Sequence, residues 1–209
     1  SKAWSSDGKG LDMFVTYAFN QEELCEKVLM QIPRSPVILQ EYVRGEGVGV
    51  AVLTKNGKVI VSFQYRRLHE VPLTGGPSSY RVSEPVDPKM MNYVSSLMNA
   101  IGWDGVAMVE FKRDRETGKV YLMEINGRFW GSLSLAVAAG ADFPFYLLEF
   151  MLHQKCDFPS AYKVGLRCRQ LSKEIEWLKA VLFTRKKGNP IARFPTYRSV
   201  LFDTIQLMN

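Results

Sequence analysis

Histidine and cysteine are scarce in this sequence, and their scarcity removes several kinds of chemistry at once. The 209 residues hold two histidines, His69 and His153, and three cysteines, Cys25, Cys156 and Cys168, with no Cys-x-x-Cys pair. Neither a disulfide framework nor a zinc centre can be built from that set, which leaves oxygen-ligated metals open and favours a reducing, cytoplasmic setting. Long apolar runs are missing as well. The greasiest stretch, Leu133 to Leu152, is broken by Asp142 and Glu149, so no transmembrane segment is expected. The opening residues, SKAWSSDGKG, lack the apolar core of a secretory signal and the chain has no starting Met, so a processed product or a fragment is expected. Repeats and low-complexity tracts are absent too, against a solenoid or a disordered linker.

What is present is an apolar fraction of 46% against 23% charged, enough for a sizeable core. The net charge of +6 lies wholly at one end: residues 1–156 carry 17 basic and 17 acidic side chains, residues 157–209 carry 10 and 4. A basic tail of that kind can meet nucleic acid, anionic lipid or an acidic partner, but a solvated basic face is the simpler reading. No nucleic-acid motif accompanies it, so no nucleic acid is expected as a partner.

The elements read as mixed α and β. Leu11 to Ala18 alternates like a strand, and Asn20 with Glu23 forms a capping pair for a helix ended by Pro33 and Pro36. Val37 to Val43 reads as a short strand. Val48–Thr54 and Lys58–Tyr65 join through Asn56-Gly57 as a β-hairpin. Asp87 and Pro88 open a helix that Gly102 closes. Gly105–Lys112 and Val120–Ile125 make a second hairpin around Asp114–Gly118, apolar on both faces as in a sheet covered on both sides. Ser132–Ala139, Pro144–His153 and Ser172–Phe183 read as helices, followed by an irregular basic end.

Two carboxylates, Glu110 and Glu124, interrupt the apolar strands of that second hairpin. Their mean position, 117, falls inside the turn, so a symmetric hairpin sets them face to face with Cβ atoms about 5 Å apart. At an effective dielectric of about 20, two such charges repel by roughly 3 kcal/mol, so a cation or a proton has to hold them. Asn126 shares their face by period-2 geometry, and Arg128 follows two positions on. Two carboxylates and an amide oxygen suit Mg2+, with phosphate oxygens and water completing its shell, and the planar fork of Arg128 suits a phosphoryl group. On spacing alone, this reading and a structural pairing of a buried Glu with Arg128 stand level.

Two further segments are weaker. QEYVRGEGVGV, residues 40–50, can present main-chain groups to a flat base and a carboxylate to a sugar hydroxyl, and equally can be a strand and a turn. Ser5 to Gly10, after Lys2, is a small loop able to fold over phosphates, without the P-loop spacing.

The order Lys2, glycine-containing loop, Gln40-Glu41-Tyr42-Val43-x-Gly45-Glu46, Glu110 and Glu124-Ile125-Asn126-Gly127-Arg128 resembles the ATP-grasp superfamily. NGRFWGSLSLAVAAGADFP, residues 126–144, with Arg67-Leu68-His69-Glu70 and Gly75-Gly76, resembles its predicted carboxylate-amine ligase branch. The resemblance covers about residues 1–155. It implies an α+β ATP-grasp fold of antiparallel β-sheets with packed helices, lacking the N-terminal pre-ATP-grasp domain. The implied domains are an ATP-grasp domain over 1–155 and a basic helical extension over 156–209. By that resemblance Lys2 contacts the ATP phosphates, Glu41, Tyr42 and Val43 form the adenine linker, and Glu46 binds ribose. Glu110, Glu124 and Asn126 hold Mg2+, with Mn2+ as an alternative ion, and Arg128 steadies the phosphoryl group or the acyl phosphate.

The family has Lys-Pro where this chain has Lys2-Ala3, and its members carry further domains and another nucleotide-contacting lysine upstream. The isolated chain is therefore expected to fold without turning over. The expected activity is ligation of a small-molecule carboxylate to an amine or similar nucleophile. The alternative is a non-catalytic nucleotide-binding or scaffold module derived from such an enzyme. Arg66, Arg67 and His69 either face the acceptor pocket or form a charged strand end. The sequence sets no oligomeric state.

Overall fold

The computed structural model describes residues 2–4, 10–12, 15–184 and 194–205, which form two units, Ser1–Tyr42 and Val43–Asn209. In the first unit, β1 (Lys2–Trp4) pairs antiparallel with β2 (Gly10–Asp12), and Lys2 stands opposite Asp12. Residues 15–18, expected to prolong that strand, carry no regular structure. Helix α1 (Gln21–Gln31) begins at the capping pair: the Asn20 side chain accepts from the Glu23 amide at 2.8 Å, and the Glu23 carboxylate accepts from the Phe19 amide at 3.3 Å. The strand expected over Val37–Val43 is not formed. A strand exists only where a neighbour completes its hydrogen bonds, and this segment joins no sheet among the described residues, with Ile38 and Leu39 largely exposed.

The second unit is one six-stranded antiparallel sheet. Its strands are β3 (Glu46–Lys55), β4 (Lys58–Glu70), β5 (Ser78–Glu84), β6 (Gly105–Arg113), β7 (Val120–Asn126) and β8 (Arg167–Arg169), in the order β7-β6-β3-β4-β5-β8. Asn56 and Gly57 take φ values of 48° and 74°, the backbone of a type I′ turn, which is why this dipeptide closes the β3–β4 hairpin.

Helix α2 (Pro88–Ile101) follows its local signals: the Asp87 carboxylate accepts from the Lys89 amide at 2.8 Å, and Gly102 is left-handed at the C-terminus. Its Met90, Val94 and Met98 pack on Val48, Val50, Val52, Ala107, Val109 and Phe111, one face of the sheet. The other face, carrying Ala51, Leu53, Val61, Phe63, Tyr65, Val106 and Met108, is covered by α3 (Leu133–Ala138) and α4 (Phe143–His153) through Leu135, Ala136, Phe143, Tyr146 and Phe150. Each such side chain, once fully buried, stabilises the fold by about 1.5–3 kcal/mol.

Three expectations change. β6 is covered on both faces, but β7 is exposed along almost its whole length, because it is the outermost strand of the sheet. Residues 156–170 include β8, which pairs with β5 and extends the sheet. The basic end is partly regular: after α5 (Leu171–Thr184), helix α6 (Tyr197–Ile205) is capped by Thr196, whose hydroxyl accepts from the Ser199 amide. Trp177, Val181 and Val200 form a small core between these helices. No helix among the described residues is long and apolar enough to cross a membrane.

Candidate functional site

Glu110 on β6 and Glu124 on β7 are register partners, and Asn126 stands opposite Met108 two positions along. Beyond Glu110 the pairing steps to Phe111 with Leu122, so Met123 is an extra residue, a bulge at the outer strand. The Asn126 amide donates to Glu124 Oε1 at 2.7 Å. Arg128, two residues past the end of β7, is exposed and donates to the Phe129 carbonyl at 3.0 Å.

Glu110 is claimed by Arg67 of β4, not by Arg128. Arg67 Nη2 lies 2.5 Å from Glu110 Oε2, and the same guanidinium reaches Glu70 at 3.4 Å and the Gly76 carbonyl at 3.2 Å. Lys112 closes the group with a 3.5 Å contact to Glu70. Burial pushes the Glu110 carboxyl above the ordinary range; Arg67 pulls it down, while Glu124 and Glu70 push it up. Burial works against the Arg67 charge, but Tyr65, Glu110 and Glu70 outweigh that and hold it firmly protonated.

The reach of Arg67 depends on β3, the strand that lies between β4 and β6. A Cβ on Gly47 would stand 2.7 Å from Arg67 Cδ and 2.9 Å from Glu70 Oε1; one on Gly49 would stand 2.3 Å from the Tyr65 ring. The alternate glycines of GEGVGV therefore form a bare track across which Tyr65 and Arg67 lie toward β6. Sequence reasoning grouped Arg67 with Arg66 and His69 and missed its role. The available signal was the coincidence of Gly47 and Gly49 with residues 65 and 67, which share one face of the neighbouring strand.

Glu46 is elsewhere. It sits on the face of Val48 and Val50, opposite to Gly47 and Gly49, and pairs with Arg113 at 2.8 Å, Arg66 at 3.4 Å and Arg115 at 3.6 Å. Glu84 joins through Arg66 at 2.5 Å and Arg113 at 3.3 Å, and these groups line an open concavity of about 450 Å³. Glu41 and Tyr42 end the first unit, where Tyr42 packs edge-on against Tyr17, and Val43 opens the second. Lys2 lies on β1, but its side chain and Ser5–Lys9 of the expected phosphate loop lie outside the described residues. Of the residues singled out by sequence, the structure brings together Glu110, Glu124 and Asn126.

Among the described residues no cluster of three or more His, Cys, Asp or Glu side chains could hold a metal by itself. Two facing carboxylates and an amide nevertheless fit Mg2+ as a partial donor set, because this ion keeps several positions for water and phosphate oxygens. Burial first, and then the neighbouring Glu124, raise the Glu110 carboxyl, and a further cation there would offset both.

A family model described as "ATP-grasp in the biosynthetic pathway with Ter operon" matches residues 33–174. No curated protein matches the chain. Among solved structures, N5-carboxyaminoimidazole synthetase from Staphylococcus aureus complexed with ADP is similar, with a TM-score of 0.55 and 16% identity over 82% of this chain and 46% of that one. The biotin carboxylase domain of Hydrogenobacter thermophilus 2-oxoglutarate carboxylase, in complex with MgADP, ADP and bicarbonate, has a TM-score of 0.53 and 17% identity over 71% and 36%. L-amino acid ligase from Bacillus licheniformis has a TM-score of 0.51 and 16% identity over 73% and 42%. At such identities the likeness is one of fold, and the chain spans less than half the length of each of these structures.

Proposed function

Since the chain belongs to the ATP-grasp family of the biosynthetic pathway with Ter operon, we propose that it is the nucleotide- and Mg2+-holding part of an ATP-dependent ligase acting on a small-molecule carboxylate. The observation that carries this reading is the register pairing of Glu110 with Glu124, with Asn126 beside them. Glu110, Glu124 and Asn126 would hold Mg2+ together with nucleotide phosphates. The ion would supply neutralisation of phosphate charge, making the terminal phosphorus easier to attack.

In the reaction a carboxylate oxygen of the acceptor attacks that phosphorus and the bond to the leaving ADP oxygen breaks, giving an acyl phosphate. An amine or similar nucleophile then attacks the acyl carbon, releases phosphate and loses a proton. Arg128 orients the phosphoryl group through its planar fork, and Arg67 fixes Glu110 in place. Phosphoryl transfer of this kind is governed by positioning and electrostatics, so no covalent protein intermediate is required.

In the same reading Lys2 contacts the phosphates, Glu41, Tyr42 and Val43 form the adenine linker, and Glu46 meets ribose. Glu46 is already paired with three arginines, so a ribose hydroxyl would share this cluster rather than meet a free carboxylate.

Isothermal titration of ATP with and without Mg2+ tests the reading. ATP affinity is expected to rise with Mg2+ in the native chain and to lose most of that dependence in Glu124→Gln. Equal ATP binding in excess chelator, or an unchanged Mg2+ dependence in Glu124→Gln, would overturn it. Mass-spectrometric screening of the full-length protein with ATP and pools of organic acids and amines would identify the substrates.

A further inference from the structure

Arg81, on β5, is a buried cation whose charge no carboxylate among the described residues balances. It is 5% exposed, its Nη1 makes one long hydrogen bond of 3.3 Å to the Ser78 carbonyl, and its Nε has no partner. No carboxylate among the described residues comes within 4 Å of it. The contrast with Arg67 is direct, because the two arginines are register partners across β4 and β5. Arg67 has Glu110 and Glu70; Arg81 has its own strand's carbonyl. Keeping an unpaired charge out of water carries a desolvation penalty that an arriving anion would remove.

Other unpartnered donors lie on the same face. Ser132 and Trp130, each 4% exposed, have no hydrogen-bond partner for Oγ and Nε1. Helix α3, which follows them, lies against β5 and β8. Ser134 Oγ lies 3.7 Å from Cys168 Sγ, and Cys168 is the register partner of Arg81 on β8.

We propose that Arg81 is an oxyanion subsite for a second acidic group of the acceptor, so that the acceptor is a diacid rather than a simple carboxylic acid. This rests on the ligase reading above for the identity of the ligand, though not for the existence of the subsite. The strand order supplies the geometry: Arg67 lies between Glu110 and Arg81, so an acceptor whose reacting carboxylate is beside Arg67 extends its far end toward β5. Arg81 then selects substrates by charge at the non-reacting end, since a buried donor left unpaired penalises an acceptor without that group.

The test compares succinate, butyrate and inorganic phosphate binding by titration calorimetry, in the native chain, Arg81→Lys and Arg81→Met, with MgADP titrated separately. Succinate is expected to bind at least tenfold more tightly than butyrate, with the preference abolished in Arg81→Met, reduced in Arg81→Lys, and MgADP binding unchanged in both. Phosphate that displaces succinate supports the same subsite with a phosphate-bearing acceptor. Equal affinity for succinate and butyrate in the native chain, or an unaltered preference in Arg81→Met, overturns the proposal. Should Arg81→Met fail to fold, the native comparison and Arg81→Lys decide it. Loss of MgADP binding with an intact succinate preference would overturn the ligase reading and leave the subsite standing.

Discussion

Arg67 meets Glu110 across an intervening strand, and it does so because Gly47 offers no side chain to lie against. The ion pair is therefore a property of three strands: β4 supplies the cation, β6 the carboxylate and β3 the clearance.

The two glycines of this track should respond differently to alanine. At Gly47 the obstacle is a flexible arginine stem, Arg67 Cδ at 2.7 Å, which can swing aside. At Gly49 it is the Tyr65 ring at 2.3 Å, 1% exposed in the core, which cannot. Gly49→Ala is expected to destabilise by about 1–3 kcal/mol as an overpacking change, read from urea unfolding midpoints. Gly47→Ala should lose less stability but weaken Mg2+-dependent nucleotide binding, because the displaced guanidinium no longer holds Glu110. Equal stability losses in the two variants would contradict the difference drawn here.

Glu110 gives a pH dependence with a definite sign. Its folded carboxyl is raised, by burial first, so the folded chain binds that proton more tightly than the unfolded chain does. Stability from this group is present below the ordinary carboxylate value and is lost as pH rises through the folded one. Glu110→Gln should remove that fall from a plot of unfolding midpoint against pH. Arg67→Met should shift it to higher pH, because the group that pulls the carboxyl down is gone. An identical profile in the native chain and Glu110→Gln would be inconsistent with the raised carboxyl.

Local signals were legible in the sequence where one segment sufficed: Asn56-Gly57 as a type I′ turn, and Asp87-Pro88 with Gly102 as the limits of α2. The facing of Glu110 and Glu124 was legible because hairpin symmetry is arithmetic. The pairs nearer the turn are one residue out of that symmetry, and the extra Met123 restores it at the carboxylates. The Arg67 contact was not legible, since it depends on which strand lies between β4 and β6. Nor was the loss of a strand over 37–43, because alternation shows what a segment prefers and not whether a neighbour is there to pair with it.

Glu46 offers a test of the arginine cluster on the opposite face. Its carboxylate is 13% exposed and meets Arg113 through two hydrogen bonds, at 2.8 and 3.0 Å. Glu46→Gln leaves Arg113 and Arg66 to share Glu84 alone, and is expected to lower stability by about 1–2 kcal/mol, the scale of charge-assisted hydrogen bonds in a partly buried setting. If Glu46 also binds ribose, the variant should weaken ATP more than inorganic triphosphate in a titration. Equal effects on both ligands would confine Glu46 to the ion-pair cluster.

The last prediction concerns how the C-terminal helices are held. His69, one residue before Glu70, is stacked on Trp177 with ring centroids 3.6 Å apart and an interplanar angle of 5°. Its Nδ1 faces Glu174 at 2.6 Å and its Nε2 faces Asp203 of α6 at 3.2 Å. Arg169 adds a 2.9 Å contact to Glu174 and donates to the Asp203 carbonyl at 2.7 Å. Burial alone would raise the Glu174 carboxyl, but the hydrogen bond and charge of His69, with Ser79 and Arg169, outweigh it and hold it below the ordinary range. A lowered carboxyl contributes stability that is complete above its unfolded value and is lost as pH falls through the folded one. Glu174→Gln removes the partner of a buried arginine and should cost about 3–5 kcal/mol near neutral pH, with a flatter acid limb. Asp203→Asn tests the reach of the clamp, because it loosens only the α6 side. Amides of residues 197–205 should then exchange with deuterium several-fold faster while those of β4 are unchanged. Unaltered exchange in α6 would mean that Val200 and Trp177, through apolar packing alone, keep the helix in place.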